Sequence, residues 1–202
     1  MINIVDYGMG NLRSVQKAVA RIGMPSRIVS SVDDVLHSEK LILPGVGHFA
    51  RAVTTLKSNG LFAALNHAVQ RKKIPILGIC LGMQLMTEFS EEGGVEGFGW
   101  VRARTTKFSF ADRTLRIPHM GWNRLSIKKV GSLFKSTEKD DFYYFVHSYF
   151  ITCANQENIL SETSYGNTFV SAFEHENIFG CQFHPEKSHD PGLMIIKTFA
   201  EL

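Results

Sequence analysis

Short apolar runs recur through the first eighty residues, and each is followed by a stretch whose apolar positions repeat every three or four residues. The runs are INIVDY (2–7), SRIVS (26–30), KLILPG (40–45) and IPILGI (74–79). A strand that is apolar without strict alternation must be buried on both faces. The arrangement that achieves this is a parallel sheet with its crossover helices packed above and below. The intervening segments fit that role. Leu12, Val15, Val19 and Ile22 share one helical face, residues 32–38 read as a short helix, and 49–57 and 61–73 read as longer ones. Arg71, Lys72 and Lys73 close the last of these, where cations suit a helix C-terminus. Residues 81–89 then read as the helix after the fourth strand.

The second half changes character. Residues 99–108, 114–127, 141–153 and 167–186 are strand-like, with EHEN (174–177) as a hairpin turn, and a helix over 191–202 carries Pro191 near its start. No repeat, low-complexity tract or linker interrupts the chain. The expected fold is one α/β domain over residues 1–202, a mostly parallel central sheet flanked by helices with an antiparallel extension in the C-terminal half. A chain of 202 residues can bury a substantial core. Its net charge of +3, without a dense Lys/Arg run, does not suggest nucleic-acid binding. No apolar stretch approaches the roughly 20 residues of a membrane span. Three cysteines cannot all pair with one another, and the N-terminus reads as a strand rather than a leader, so a reduced, cytoplasmic setting is expected.

The segment PILGICLGMQLM (75–86) runs a strand into a helix with Cys80 at the joint and Gly78 and Gly82 two residues to either side. A cysteine at the C-terminal end of a parallel strand lies on the edge where open α/β sheets bind ligands. Opening a helix, it meets free N–H groups and a positive dipole end, which favour the thiolate. The flanking glycines permit the sharp turn of a nucleophile elbow, with cysteine in place of serine. The glycine spacing alone leaves open a plain buried core cysteine.

A nucleophilic cysteine needs a base. Of eight histidines, His184 ends an apolar strand, and Pro185 holds Glu186 at a fixed offset from it, so a carboxylate can steady the imidazole. The same residues also fit a strand-end turn with incidental polar groups. In LPGVGHF, Gly45 and Gly47 end the third strand, expected beside the fourth. Backbone N–H groups there, with that of Leu81, can face an oxyanion. The alternative is an ordinary strand-to-helix turn. YGMGN (7–11) is not a dinucleotide fingerprint, because Arg13 stands where the third glycine belongs.

Together, GICLGMQ, the late HPE and the PGVG turn resemble the triad-type (class I) glutamine amidotransferases. Within that family DYGMGNLRSV, PGVGHF, PHMGWN, YFVHSY and FHPEKS resemble the glutaminase subunits of imidazole glycerol phosphate synthase, over residues 6–188. The resemblance implies a Cys80–His184–Glu186 triad and an oxyanion hole from the Gly45–Val46–Gly47 strand and Leu81, completed when a partner engages. It implies L-glutamine as substrate, bound by Gln84 and the backbone of His147, Ser148 and Tyr149. It further implies a (β/α)8 cyclase/synthase subunit as heterodimer partner, receiving ammonia for histidine biosynthesis, with Asn11, Met120, Trp122, Tyr144 and Lys187 at the interface. Trp122 also reads as a half-buried sheet aromatic. No metal or cofactor is expected. Cys153 and Cys181 read as small apolar strand residues, and His189 and Asp190 are assigned nothing.

Three competing functions are open to such a chain. One is a paralogous glutaminase feeding a sugar-amidating enzyme of surface-polysaccharide synthesis. A second is a Cys-His-Glu peptidase or deglycase on the same fold, in which Gln84 would have no role. A third is a binding module with a vestigial triad.

Overall fold

The computed structural model describes residues 1–111, 114–135 and 140–202. The chain begins with β1 (Ile2–Val5), α1 (Leu12–Arg21), β2 (Ser26–Val29), α2 (Val32–Leu36), β3 (Lys40–Gly45), α3 (Phe49–Ser58) and α4 (Leu61–Asn66). α4 continues into a π-helical turn, His67–Arg71, before β4 (Ile76–Cys80) and α5 (Leu81–Leu85). Nine strands follow: β5 (Thr87–Ser90), β6 (Val95–Glu96), β7 (Val101–Lys107), β8 (His119–Arg124), β9 (Ser126–Ile127), β10 (Phe142–His147), β11 (Tyr149–Cys153), β12 (Ile159–Tyr165) and β13 (Asn167–His175). β14 (Ile178–Cys181) and α6 (His189–Glu201) close the fold.

The main sheet runs β2-β1-β3-β4-β14-β13-β11-β7-β5-β6, with β12 and β9 branching from β13. Its first five strands are mutually parallel. Beyond β14 the pairings with β13, β11 and β7 are antiparallel. The expected architecture is therefore present, with β3 beside β4. The pleat sorts the core into two layers. Leu41 and Leu43 of β3 face the cluster built with α3, α4 and α5, while Ile42 between them faces the cluster of α1 and α6. The second layer also takes in Tyr143 and Phe145 of β10, which pairs with β8 in a separate two-stranded antiparallel sheet. No described helix is long and apolar enough to cross a membrane.

Several sequence boundaries need correction. The helix expected over 81–89 stops at Leu85, and Thr87–Ser90 pairs with β7 and β6 instead. The loop after β6 ends it: Phe98 donates its N–H to the Leu85 carbonyl and Trp100 to that of Met86, while the Thr87 hydroxyl caps Gln84. The run 141–153 is two strands in different sheets, broken at Ser148. Residues 61–73 and 114–127 are each interrupted, and the last helix starts at His189, two residues early. The hairpin turn in EHEN is present, with Glu176 at φ 53°.

Candidate active site

Cys80 ends β4 with φ 55° and ψ −110°, a backbone conformation costly for any residue with a Cβ. It is held there by close packing. Gly45 pairs with Cys80 across the β3–β4 ladder, and a Cβ on Gly45 would stand 2.5 Å from the Tyr7 hydroxyl and 2.8 Å from the Gly82 nitrogen. A Cβ on Gly82 would stand 1.8 Å from the Leu43 carbonyl oxygen. The glycines flanking the cysteine thus let α5 sit directly on two strands. α5 is only five residues long, so it offers Cys80 the free N–H groups of one turn rather than the dipole of a long helix.

His184 follows β14, the other strand paired with β4, and its N–H donates to the Tyr144 carbonyl at 2.8 Å. Pro185 opens a three-residue 3₁₀ turn that brings Glu186 back toward the ring. Nδ1 of His184 and Oε1 of Glu186 are 2.9 Å apart, with the two side chains 2% and 1% exposed. The other nitrogen, Nε2, is buried, on a ring that interacts with the Cys80 sulfur and shares its cleft. Burial works against the imidazolium, but the Cys80 sulfur and the Glu186 carboxylate outweigh it and push His184 up to about 10. Cys181 and Cys153 are buried, and burial pushes both thiols up, Cys153 to about 12. Neither has the polar surroundings of a reactive thiol.

The cleft over Cys80 has a volume of about 290 Å³, the scale of one small metabolite. Val46, Gly47 and Leu81 line it, and the consecutive residues Val146, His147, Ser148 and Tyr149 form a wall. Gly47 has φ +105°, and Gly45 is not among the lining residues, its part being the close approach beneath Cys80. Among the described residues, no Lys or Arg lines it.

Behind this wall lies a hydrogen-bonded chain whose directions follow from one atom. The Tyr149 carbonyl can only accept, so His147 Nδ1 (2.8 Å) and Gln84 Nε2 (2.9 Å) must both donate to it. His147 Nε2 then accepts from His119 Nδ1 at 3.0 Å, and His119 Nε2 faces the Asn123 amide nitrogen at 3.4 Å. Both imidazoles are neutral in this arrangement. Burial holds His147 down to about 3 and His119 to about 4. On the other branch, Gln84 Nε2 also donates to Gln182 Oε1 at 3.0 Å, leaving Gln84 Oε1 as that side chain's uncommitted atom.

The structure therefore brings Cys80, His184, Glu186, Val46, Gly47, Leu81, Gln84 and residues 147–149 together. Sequence reasoning missed Glu92, which lines the cleft and accepts the Phe49 N–H at 2.8 Å, as well as His119 and Gln182. Only Gln182 carried any signal, its place two residues before His184. Four of the five expected partner-facing residues form a second patch. Met120 and Trp122 are 63% and 46% exposed on one face of β8. Tyr144 pairs opposite Trp122, and the Lys187 ammonium lies 5.6 Å from the Tyr144 ring centre. His189, assigned nothing by the sequence, stacks on Trp122 at 4.9 Å and 3°. Asn11 is at the N-cap position of α1 with no capping side-chain bond.

A buried Cys–His–Glu line opening on a small cleft at a parallel strand end is the equipment of an acyl-transfer hydrolase. The chain belongs to the class-I glutamine amidotransferases, whose family model matches residues 3–201. Among curated relatives it is 45% identical to imidazole glycerol phosphate synthase subunit HisH 2 of Methanococcus maripaludis, over 98% of both chains. It is 46% identical to subunit HisH of Sulfurimonas denitrificans, over 100% of this chain and 98% of that one. A solved glutamine amidotransferase shares the fold with a TM-score of 0.75 at 16% identity, covering 98% of each chain.

Proposed function

We propose that this chain is the glutaminase subunit of an imidazole glycerol phosphate synthase, hydrolysing L-glutamine through a cysteine thioester. The observation that carries the reading is the buried Cys80–His184–Glu186 line in a chain that matches HisH subunits end to end. That match also favours this acceptor over a sugar-amidating enzyme.

The thiolate of Cys80 attacks the side-chain amide carbon, and N–H groups of the Val46–Gly47 turn after β3 and of Leu81 receive the developing oxyanion. An amide nitrogen departs only when protonated. The raised imidazolium of His184 supplies that proton at neutral pH, and ammonia leaves. The thioester no longer carries the sulfur's negative charge, so the strongest support for the imidazolium is gone. His184 becomes the base that takes a proton from water, whose oxygen attacks the thioester and releases glutamate. Glu186 keeps the ring oriented through both steps. In the cleft, Gln84 Oε1 reads a donor on the substrate, and Glu92 suits its α-ammonium. With no Lys or Arg lining the site among the described residues, backbone N–H groups of residues 147–149 receive its α-carboxylate.

Ammonia is protonated in neutral water and then no longer a nucleophile, so a synthase partner must take it directly. The exposed face of Met120 and Trp122, with Tyr144, Lys187 and the start of α1 at Asn11, suits a (β/α)8 subunit docking over the cleft. Glutamate release, measured with and without that subunit carrying its nucleotide ligand, tests the assignment. Strong stimulation is expected, and hydrolysis indifferent to the partner would overturn the partner assignment. Cys80→Ala should abolish glutamine-dependent synthesis while sparing synthesis from ammonium salt. Loss of both in a folded complex would refute the division of labour.

A further inference from the structure

The nucleophile has a neighbour that the triad does not account for. Gln182 is fully buried between Cys181 and His184, with its backbone N–H fixed on the Ser171 carbonyl at 2.9 Å. Its amide nitrogen stands 3.6 Å from the Cys80 sulfur. The amide could in principle face the sulfur with either end, and the surrounding bonds choose. The Tyr149 carbonyl compels Gln84 to present its NH2 group, and the second hydrogen of that group can be taken only by the Gln182 oxygen. The Gln182 oxygen is thereby spent, and its NH2 group is turned onto the sulfur. The thiol's own donor direction, toward the Val146 carbonyl at 3.9 Å, leaves the sulfur lone pairs available to it.

We propose that Gln182 is a second hydrogen-bond donor to the Cys80 thiolate, aimed by the same Gln84 side chain that reads the substrate. It complements His184. The imidazolium is a donor only while protonated and must give its proton away during the reaction, whereas an amide N–H keeps its proton throughout. The sulfur is therefore not left bare while His184 serves the leaving nitrogen and again when the thiolate is expelled from the thioester. The same chain ties substrate recognition to the nucleophile through two amides. The role in turnover rests on the glutaminase reading; the contact with sulfur does not.

The test is the pH profile of Cys80 alkylation by iodoacetamide in the full chain, with Cys80→Ala as the blank for Cys153 and Cys181. The variants are Gln182→Glu and Gln182→Leu. The glutamate side chain still accepts from Gln84 but turns the donor into an anion. Leucine removes the amide at similar volume, and circular dichroism confirms that each variant folds. The other titratable groups around the sulfur are His184 with Glu186 behind it, Tyr7 after β1 and Cys181 on β14, and they are common to all variants. Gln182→Leu should slow alkylation about tenfold, the weaker end for a hydrogen bond to a charged group, on the acidic limb of the profile, where the thiolate fraction sets the rate. The profile should move to higher pH, and further for Gln182→Glu. Profiles that superimpose on the unmodified chain for both variants would overturn the proposal. Glutamine turnover with the synthase is measured in parallel. Failure of the unmodified chain to turn over would sink the glutaminase reading alone, with the alkylation profiles still deciding on Gln182.

Discussion

Gly82→Ala sets two effects of opposite sign against each other. Helix propensity favours alanine over glycine by about 1 kcal/mol, so an isolated helix would gain. In this fold the new methyl carbon arrives 1.8 Å from the Leu43 carbonyl oxygen and must retreat beyond 3.0 Å, an opening of about 1.2 Å. β3 cannot recede freely, because Leu43 is paired with Gly78 on β4. α5 cannot slide along β4 either, since the Met83 nitrogen already lies 2.7 Å from where a Gly78 Cβ would be. Overpacking of this kind costs about 1–3 kcal/mol, and more where backbone is the obstacle, so steric strain exceeds propensity. Net destabilisation of about 1–2 kcal/mol is expected as a lower urea midpoint with an unchanged slope. The displaced turn carries Cys80, and a 1 Å misplacement costs roughly 10²-fold in rate, so partner-stimulated glutamate release should fall by about that factor. A Gly82→Ala chain with an unaltered urea midpoint and unaltered turnover would refute the close-packing account of the elbow.

Three further expectations can be checked separately. His184 should remain an imidazolium through neutral pH by ¹⁵N NMR, and Glu186→Gln should lower its titration midpoint by more than one unit. Because its folded value of about 10 lies above the unfolded one near 6.5, the linked stability is complete below about pH 6.5 and is lost as pH rises through about 10. A midpoint below 7 in the unmodified chain would contradict the arrangement. Among the described residues the buried Tyr7 hydroxyl has no hydrogen-bond partner, so Tyr7→Phe should stabilise the chain by about 1 kcal/mol in urea titration, and a loss of stability would reveal a bond there. Trp122→Ala should weaken synthase binding by at least about tenfold in calorimetry without altering Cys80 alkylation, whereas unchanged affinity would remove this face from the interface.

The parallel half of the fold was legible because β1, β3 and β4 are buried on both faces, which writes nearly continuous apolar runs into the chain. The elbow was legible because close backbone approach demands glycine. Thr87–Ser90 was not, because Leu81–Leu85 and the residues after it share one helical pattern, and only the loop through Phe98 and Trp100 ends the helix. The break at Ser148 was hidden too, since both flanking segments carry strand-forming residues and nothing local says that they enter different sheets. Gln182 and His119 act through partners 98 and 28 positions away, and no spacing rule connects such positions.

The Tyr149 carbonyl has a consequence for how this protein tolerates change. It belongs to the main chain, so no substitution at position 149 deletes it, and the tyrosine side chain can be exchanged without removing the acceptor that orients Gln84 and His147. Random mutagenesis scored by turnover would therefore find position 149 permissive beside intolerant neighbours in space. The atom that organises the polar wall would leave no trace in the resulting map.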